Sequence, residues 1–351
     1  MAAPTHTLTT YYFDSSTQSF GTKTTEKSLG YNDVLIRTTH SGICFTDVHA
    51  KSKHCGLGHE GIGFIAAIGP AVKHFRVGDR VGWGWLHTSC GHCTTCLTGY
   101  RQYCASARGF AFSDLDQGAF GDFRILDADF VYPIPERIAS EDAAPLMCAG
   151  ASVFEALDAA GAKAGDRIGV VGIGGLGHIG ILFAKAMGCA VTAISNSEGK
   201  VADAFALGAD EFRHAARLDH GTALGGDIRD DPIPMDINIL LITSNAVPDL
   251  EKLLPLLARR ATIVLMTIQL EPLTIPYMPF VLPGHRLIAS TEASRENHLK
   301  MLNFVAGGGG GEGVRVRPWI EKFEMSEQGV REAFERLESG KMRYRGVLVR
   351  G

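Results

Sequence analysis

The chain has 351 residues, 45% of them hydrophobic and 21% charged, with a formal net charge of −4. That length points to about two domains with ample apolar material for a core, and the slight acidity argues against nucleic acid or an anionic membrane as the main partner. No apolar run approaches the roughly 18 residues of a membrane span, and the amino-terminal MAAPTHTLTTYYFDSS lacks the basic-then-apolar pattern of a signal peptide. A cytoplasmic protein is expected, and there eight cysteines serve as metal ligands or buried thiols rather than disulfides.

From Phe20 to about Tyr132 the pattern is one of short strands and turns, with Val34–Arg37, Gly63–Ile68 and Arg80–Gly82 strand-like and a turn at Gly78-Asp79. This predicts a β-rich first domain. Within it, Cys44 stands in the run Ser41-Gly42-Ile43-Cys44-Phe45-Thr46-Asp47-Val48-His49, followed by Gly58-His59-Glu60; Cys148 comes far along, in Leu146-Met147-Cys148-Ala149-Gly150. Two thiolates and an imidazole from separate segments can hold a zinc that keeps its fourth position open. Taken singly, Cys44 and Cys148 read as small buried hydrophobes and His59 as a satisfied core histidine.

The densest signal is Cys90-x-x-Cys93-x-x-Cys96, with seven residues between the third cysteine and Cys104. Four thiolates on one loop complete a closed tetrahedral shell, which is the signature of a structural zinc. The ferredoxin alternative fits less well, because its fourth cysteine follows after three residues and precedes proline, whereas here Ala105 follows Cys104.

Ala151–Ala160 reads as a helix stopped by Gly161, and strand and helix signals then alternate. Ile168–Ile173 reads as a buried strand, entering a turn with Gly172, Gly174, Gly175, Leu176 and Gly177, then a helix from Ile179 to Met187. Gly172, Gly174 and Gly177 have the G-x-G-x-x-G spacing of a dinucleotide-binding turn, in which backbone N–H groups and the helix N-terminus face a pyrophosphate. The next strand, Ala190–Ile194, ends in Ser195-Asn196-Ser197 with Lys200 close behind. An NAD site places an acid at that strand end. Small polar side chains and a cation suit a 2′-phosphate instead, with Glu198 the one unfavourable charge, so NADP(H) is the expected cofactor.

Further signals are a strand Asp236–Ile242, a helix Pro248–Arg260 and a strand Ala261–Ile268, which with the earlier pairs predict a parallel doubly wound sheet. Leu287–Ser290, a helix near Glu296–Val305, a strand near Val314–Ile320, a helix Glu327–Glu338 and a strand Tyr344–Val349 are expected to return to the first domain. The run Gly307–Gly311 reads as a flexible loop.

Together these segments resemble the zinc-dependent medium-chain alcohol dehydrogenases, in particular the cinnamyl-alcohol-dehydrogenase-like branch. The resemblance rests on GICFTDVH, GHEGIGFIAAIG, VGDRVG, CGHCTTCLTGYRQYC, PLMCAG, GIGGLGHIG, ISNSEGK and RYRGVLV, in that order over nearly the whole chain. It implies an α/β architecture: a GroES-like catalytic domain over residues 1–147 and 287–351, with a Rossmann NADP-binding domain over 148–286 inserted. It further implies two zincs per chain. Cys44, His59 and Cys148 look like ligands of a catalytic zinc that Glu60 can approach, while Cys90, Cys93, Cys96 and Cys104 look like those of a structural one. Asp47 is similar to the acid that orients His59, Thr46 to the hydroxyl that hydrogen-bonds the substrate oxygen, and His49 to the residue that passes its proton to solvent through the nicotinamide ribose. A homodimer acting on a small alcohol or aldehyde, aromatic or conjugated, follows from the same resemblance.

Two departures stand out. Only 14 residues separate Cys44 from His59, and the segment Ala50–Leu57 lacks the family's proline-bearing stretch. It also brings His54 and Cys55 close in sequence as rival ligands, against the plainer reading of two surface residues. Phe45 stands where relatives often carry a basic residue and reads as pocket wall, as does Trp85 unless it is a core residue. The shortened segment keeps open reduction of a conjugated C=C or an iminium, and a catalytically silent NADPH-binding protein is the remaining alternative.

Overall fold

A computed structural model describes residues 4–218, 236–308 and 316–351. The chain forms two compact units: Met1–Ala151 with Glu292–Ala306 and Pro318–Gly351, and Ser152–Thr291 with Gly307–Arg317.

The first unit is built on a seven-stranded sheet centred on Asp33–Ile43. Val34, Leu35 and Ile36 are all buried because this strand is covered on both faces. It pairs antiparallel with Glu60–Ile68, Phe123–Asp127 and Arg345–Val349. That pairing places Gly42 opposite Glu60, where a Cβ would lie 2.0 Å from the Glu60 carboxylate, so only glycine fits. The helix Glu327–Glu338 turns Val330, Ala333, Phe334 and Leu337 inward at helical spacing, onto Phe13, Phe20 and Phe120.

The second unit carries a six-stranded parallel sheet in the order Glu211–His214, Ala190–Ser195, Arg167–Val171, Ile237–Ile242, Leu257–Leu265, Arg286–Ala289. Counted within the unit this is the doubly wound order 3-2-1-4-5-6. The architecture is the expected α/β one, a GroES-like domain with a Rossmann-type domain.

The structure corrects several sequence-based bounds. The helix expected over Pro248–Arg260 is a single turn, Leu250–Leu253, then a 3-10 turn, and Leu257–Leu265 is strand. Pro255 cannot continue the hydrogen-bonded helix, and the leucines that mimic helical spacing are buried by the sheet. The return to the first unit comes at Glu292, later than 287, because Arg286–Ala289 pairs parallel with Leu257–Leu265 as the sixth strand. Cys148, expected at the start of the second domain, lies in the first unit. The strand expected near Val314–Ile320 spans Ile320–Glu324. Of the Gly307–Gly311 run, only Gly307 and Gly308 fall among the described residues.

His298, on the helix Arg295–Ala306, is buried with its ring stacked on Tyr132 at 3.9 Å between centroids. Burial and then the nearby Arg101 charge pull its pKa down to about 3. An unfolded histidine titrates near 6.5, so between these values the unfolded chain binds the extra proton, and stability is full above pH 6.5 and lost as pH falls toward 3. At pH 5 this one residue costs roughly 2 kcal/mol relative to pH 8. Thermal melts of His298→Phe, which keeps the stack, are therefore expected to fall less between pH 8 and pH 5 than those of the wild type.

Candidate metal centres and dinucleotide turn

The strand Asp33–Ile43 delivers Cys44 to the start of a short helix, Phe45–Ala50. Cys44 caps that helix, its sulfur accepting from Thr46 N–H at 3.3 Å, and the Asp47 carboxylate accepts from Cys44 N–H at 2.9 Å. This reciprocal capping box needs an acceptor at Cys44 and an acid three positions on. The other Asp47 oxygen faces Gly58 N–H at 3.0 Å and His59 Nδ1 at 3.2 Å. Asp47 is wholly buried and ties the helix to the Gly58-His59-Glu60 corner. His59 turns Nε2 toward Cys44 Sγ at 3.5 Å and Glu60 Oε1 at 3.7 Å, and its ring stacks on Phe110 at 4.8 Å. The donor atoms of Cys44, His59, Glu60 and Cys148 all lie within 4.8 Å of one another.

Such a cluster holds more negative charge than a dry site tolerates unless something positive enters. Part of the compensation is built in: Arg345 and Glu60 form a buried ion pair. Burial lifts the Glu60 carboxyl to about 7 against the pull of Arg345. Hydrogen bonding from Cys148 and the His59 charge hold the Cys44 thiol well below its ordinary range. Burial opposes protonation of His59, but Asp47 and the Cys44 thiolate overcome it and raise its pKa well above the usual value. The donor set fits zinc: bond lengths of about 2.3 Å to sulfur and 2.0–2.1 Å to nitrogen in a tetrahedral site put the two donors about 3.6 Å apart, against 3.5 Å here.

The second group, Cys90, Cys93, Cys96 and Cys104, also converges within 4.8 Å. Cys90 Sγ lies 4.0 Å from Cys96 Sγ and 3.6 Å from Cys104 Sγ, bracketing the roughly 3.8 Å that a tetrahedral zinc–thiolate site requires. Backbone N–H groups of Cys93 and Ser106 donate to the Cys90 and Cys104 sulfurs at 3.4 Å, and such donors, with that of His92, lower the Cys90 thiol to about 6. All eight cysteines are free of disulfides.

Among the other singled-out residues, Thr46 is half-buried and His49 exposed, three positions apart on the same short helix. His54 is exposed, in the left-handed region at φ 52°. Cys55 is buried among Leu57, Phe110 and Phe120, its thiol directed to the Ala50 carbonyl at 3.7 Å. Neither joins a donor cluster. Phe45 is exposed, and Trp85 is half-buried with its ring against Phe112.

In the second unit, Gly172 leaves the strand at φ +93°, a conformation that favours glycine. A Cβ on Gly177 would lie 1.8 Å from the Gly172 carbonyl, whereas one on Gly174 would point into open space, where a phosphate can approach the backbone. The helix Gly177–Ala186 begins without a side-chain cap, its His178 N–H donating to the Gly174 carbonyl at 3.0 Å; Gly175 and Leu176 complete the partly exposed turn before it. Ser195 is buried and its hydroxyl accepts from Ser197 N–H at 3.2 Å; Asn196 is exposed. Lys200 Nζ bonds the Ile173 carbonyl at 2.6 Å, tying the Ser195–Lys200 loop to the glycine turn. Arg217, which the sequence reading missed, pairs with Glu198 at 2.6 Å and cancels the charge that seemed unfavourable. Only the pairing of Glu211–His214 with Ala190–Ser195 brings Arg217 there.

Residues 30–136 match the alcohol dehydrogenase GroES-like domain and residues 175–307 the zinc-binding dehydrogenase domain. An alcohol dehydrogenase of Geobacillus stearothermophilus is 32% identical over 91% of this chain and 93% of its own length. An NADP-dependent alcohol dehydrogenase C of Mycobacterium bovis is 32% identical over 97% and 98%. The structure of a cinnamyl alcohol dehydrogenase from Sorghum bicolor superposes with a TM-score of 0.84 at 31% identity, covering 98% of both chains.

The chain belongs to the zinc-dependent medium-chain alcohol dehydrogenases, in the cinnamyl-alcohol-dehydrogenase-like branch.

This alcohol dehydrogenase is an oxidoreductase acting on a small alcohol or its carbonyl counterpart. None of its described helices is long and apolar enough to cross a membrane. Its buried charges interlock, so removing one partner strands the other. Arg345→Met is expected to destabilise the fold by about 3–5 kcal/mol, because it leaves Glu60 buried without its cation. Denaturant titration measures this, and adding Glu60→Gln to Arg345→Met should recover part of the loss.

Proposed function

We propose that this dehydrogenase is an NADP(H)-linked aldehyde reductase, reversible as an alcohol dehydrogenase, with aromatic or conjugated aldehydes as substrates and two zincs per chain. The observation that carries the reading is the convergence of Cys44, His59, Glu60 and Cys148 around one point, beside Thr46. Reduction adds a hydride to the carbonyl carbon and a proton to its oxygen. When bound, the first zinc supplies Lewis acidity toward that oxygen and the nicotinamide supplies the hydride.

The chain's own residues divide the remaining work. Cys44, His59 and Cys148 hold the metal, with Glu60 in reach, and Asp47 fixes the imidazole so that Nε2 faces it. Thr46 exchanges a proton with the substrate oxygen, and the exposed His49, an imidazole, relays that proton to solvent. Cys90, Cys93, Cys96 and Cys104 hold the second zinc, which braces their loop.

Gly172, Gly174, Gly175, Leu176 and Gly177 receive the pyrophosphate. Ser195, Asn196, Ser197 and Lys200 receive the 2′-phosphate, supported by the absence of an acid at the strand end, by the neutralisation of Glu198 by Arg217 and by the NADP dependence of the Mycobacterium bovis relative. Grouping of six cysteines as metal donors supports a reducing compartment, the cytoplasm. Tyr277, Met278, Val281 and Leu282 are exposed just before the edge strand Arg286–Ala289, which supports a homodimer.

Protein purified without chelator is expected to hold about two zincs per chain by elemental analysis and to oxidise NADPH with cinnamaldehyde or benzaldehyde. No turnover with any of a broad panel of aldehydes and ketones would sink the proposal. Lys200→Ala should raise the KM for NADPH at least tenfold and leave that for NADH within about threefold. Light scattering is expected to give twice the 37.7 kDa chain mass.

A further inference from the structure

The outer strand of the second unit brings a cation to the Ser195–Lys200 loop from a different segment. Glu211–His214 pairs parallel with Ala190–Ser195, and His214 stands opposite Ser195. The chain then makes one 3-10 turn, Ala215–Arg217, at the same C-terminal end of the sheet as that loop. In a doubly wound sheet this is the end at which dinucleotides bind. Arg217 Nη2 donates to Glu198 Oε1 at 2.6 Å and so links the two segments. Both side chains stay open to solvent, at 72% and 65% exposure, so a ligand can reach them.

The loop's own polar groups are largely committed. The Ser195 hydroxyl is buried and accepts from Ser197 N–H, and Lys200 Nζ donates to the Ile173 carbonyl. Within Ser195–Lys200 the charges of Glu198 and Lys200 cancel. The loop alone therefore offers no net attraction to a phosphate group, which carries nearly two negative charges at neutral pH. Arg213, on the outer strand, is drawn instead to Glu211 at 2.8 Å. Arg217 differs from both of these cations. Its guanidinium has five N–H donors in a planar fork, and among the described residues its hydrogen bond to Glu198 uses Nη2 alone. The N–H groups of Nε and Nη1 remain for a phosphate oxygen, the acceptor that a guanidinium suits best. An exposed ion pair between long side chains is weak, so Glu198 steadies Arg217 without locking it.

We infer that Arg217 is a specificity-determining residue that binds the 2′-phosphate of NADP(H) directly, steadied by Glu198, and thereby separates NADP(H) from NAD(H). The inference rests on the NADP(H) reading above and adds to it a phosphate ligand from outside the Ser195–Lys200 loop. It also goes beyond charge cancellation, since an Arg217 that only offset Glu198 would need no contact with the cofactor. NAD(H) presents a 2′-hydroxyl at this place, so loss of the contact falls on the phosphorylated cofactor alone.

The test is calorimetric binding to the purified full chain, without turnover, of adenosine 2′,5′-bisphosphate and adenosine 5′-monophosphate. The wild type is expected to bind the bisphosphate about tenfold or more tighter than the monophosphate. Arg217→Gln is expected to weaken the bisphosphate about tenfold or more and to leave the monophosphate within about threefold, at an unchanged melting temperature. Adding Glu198→Gln to Arg217→Gln restores the net charge of the original pair, and so separates contact from charge cancellation. The double variant is expected to stay more than about threefold weaker than the wild type for the bisphosphate. Recovery to the wild-type Kd in the double variant overturns the inference, as do equal losses for both probes in R217Q. A wild type that prefers the bisphosphate while R217Q binds it unchanged overturns the inference alone. A wild type that binds the two probes equally overturns the NADP(H) reading and this inference with it.

Discussion

The structure of the first unit depends on how a dense group of buried ionisable side chains is kept neutral enough to fold. Asp47, His59, Glu60, Cys44, Cys148 and Arg345 meet in one small volume. Each would be costly to bury alone, and each is tolerated because another supplies charge or a hydrogen bond. Asp47 is the hinge of this arrangement, since one carboxylate serves the helix cap at Cys44, the backbone at Gly58 and the imidazole of His59. A thiolate or a neutral imidazole is what a metal binds, so at such a donor group binding the metal and releasing protons are one event.

The cysteine loop solves a different problem. Cys90–Cys104 is a mostly exposed excursion with little apolar burial of its own. In the proposed two-zinc reading, convergent thiolates supported by backbone N–H groups cross-link it through the metal where a hydrophobic core is missing. The two donor groups therefore differ in kind. One is enclosed and charge-balanced by neighbours; the other is built from a single loop.

In the second unit the cofactor turn shows the same dependence on backbone over side chain. Gly172 and Gly177 are fixed by φ and by contact distance, while Gly174 leaves open the space a pyrophosphate needs. The proposed selectivity for a 2′-phosphate sits one strand away, in a loop where Arg217 pairs with Glu198 and Lys200 holds the Ile173 carbonyl. The shortened Ala50–Leu57 segment, which in sequence placed His54 and Cys55 near the metal, instead sends one to solvent and the other into the core.

The sequence by itself determined whatever is local. The Cys90, Cys93, Cys96, Cys104 spacing, the glycine turn and the Ser195–Lys200 loop are each written within about 20 residues, because one loop or one strand–turn–helix unit supplies all the groups that act together. The alternation of strand and helix was legible for the same reason, except at Pro248–Arg260, where leucines at helical spacing belong to a short turn and a strand that the sheet buries. Tertiary structure decided what joins distant segments. The seating of Cys148 beside Cys44, the pairing of Arg345 with Glu60 and the neutralisation of Glu198 by Arg217 all follow from strand pairing and helix packing. No spacing rule can encode them. Burial then turns those positions into chemistry, because the same side chains in water would keep their ordinary pKa values and need no partners.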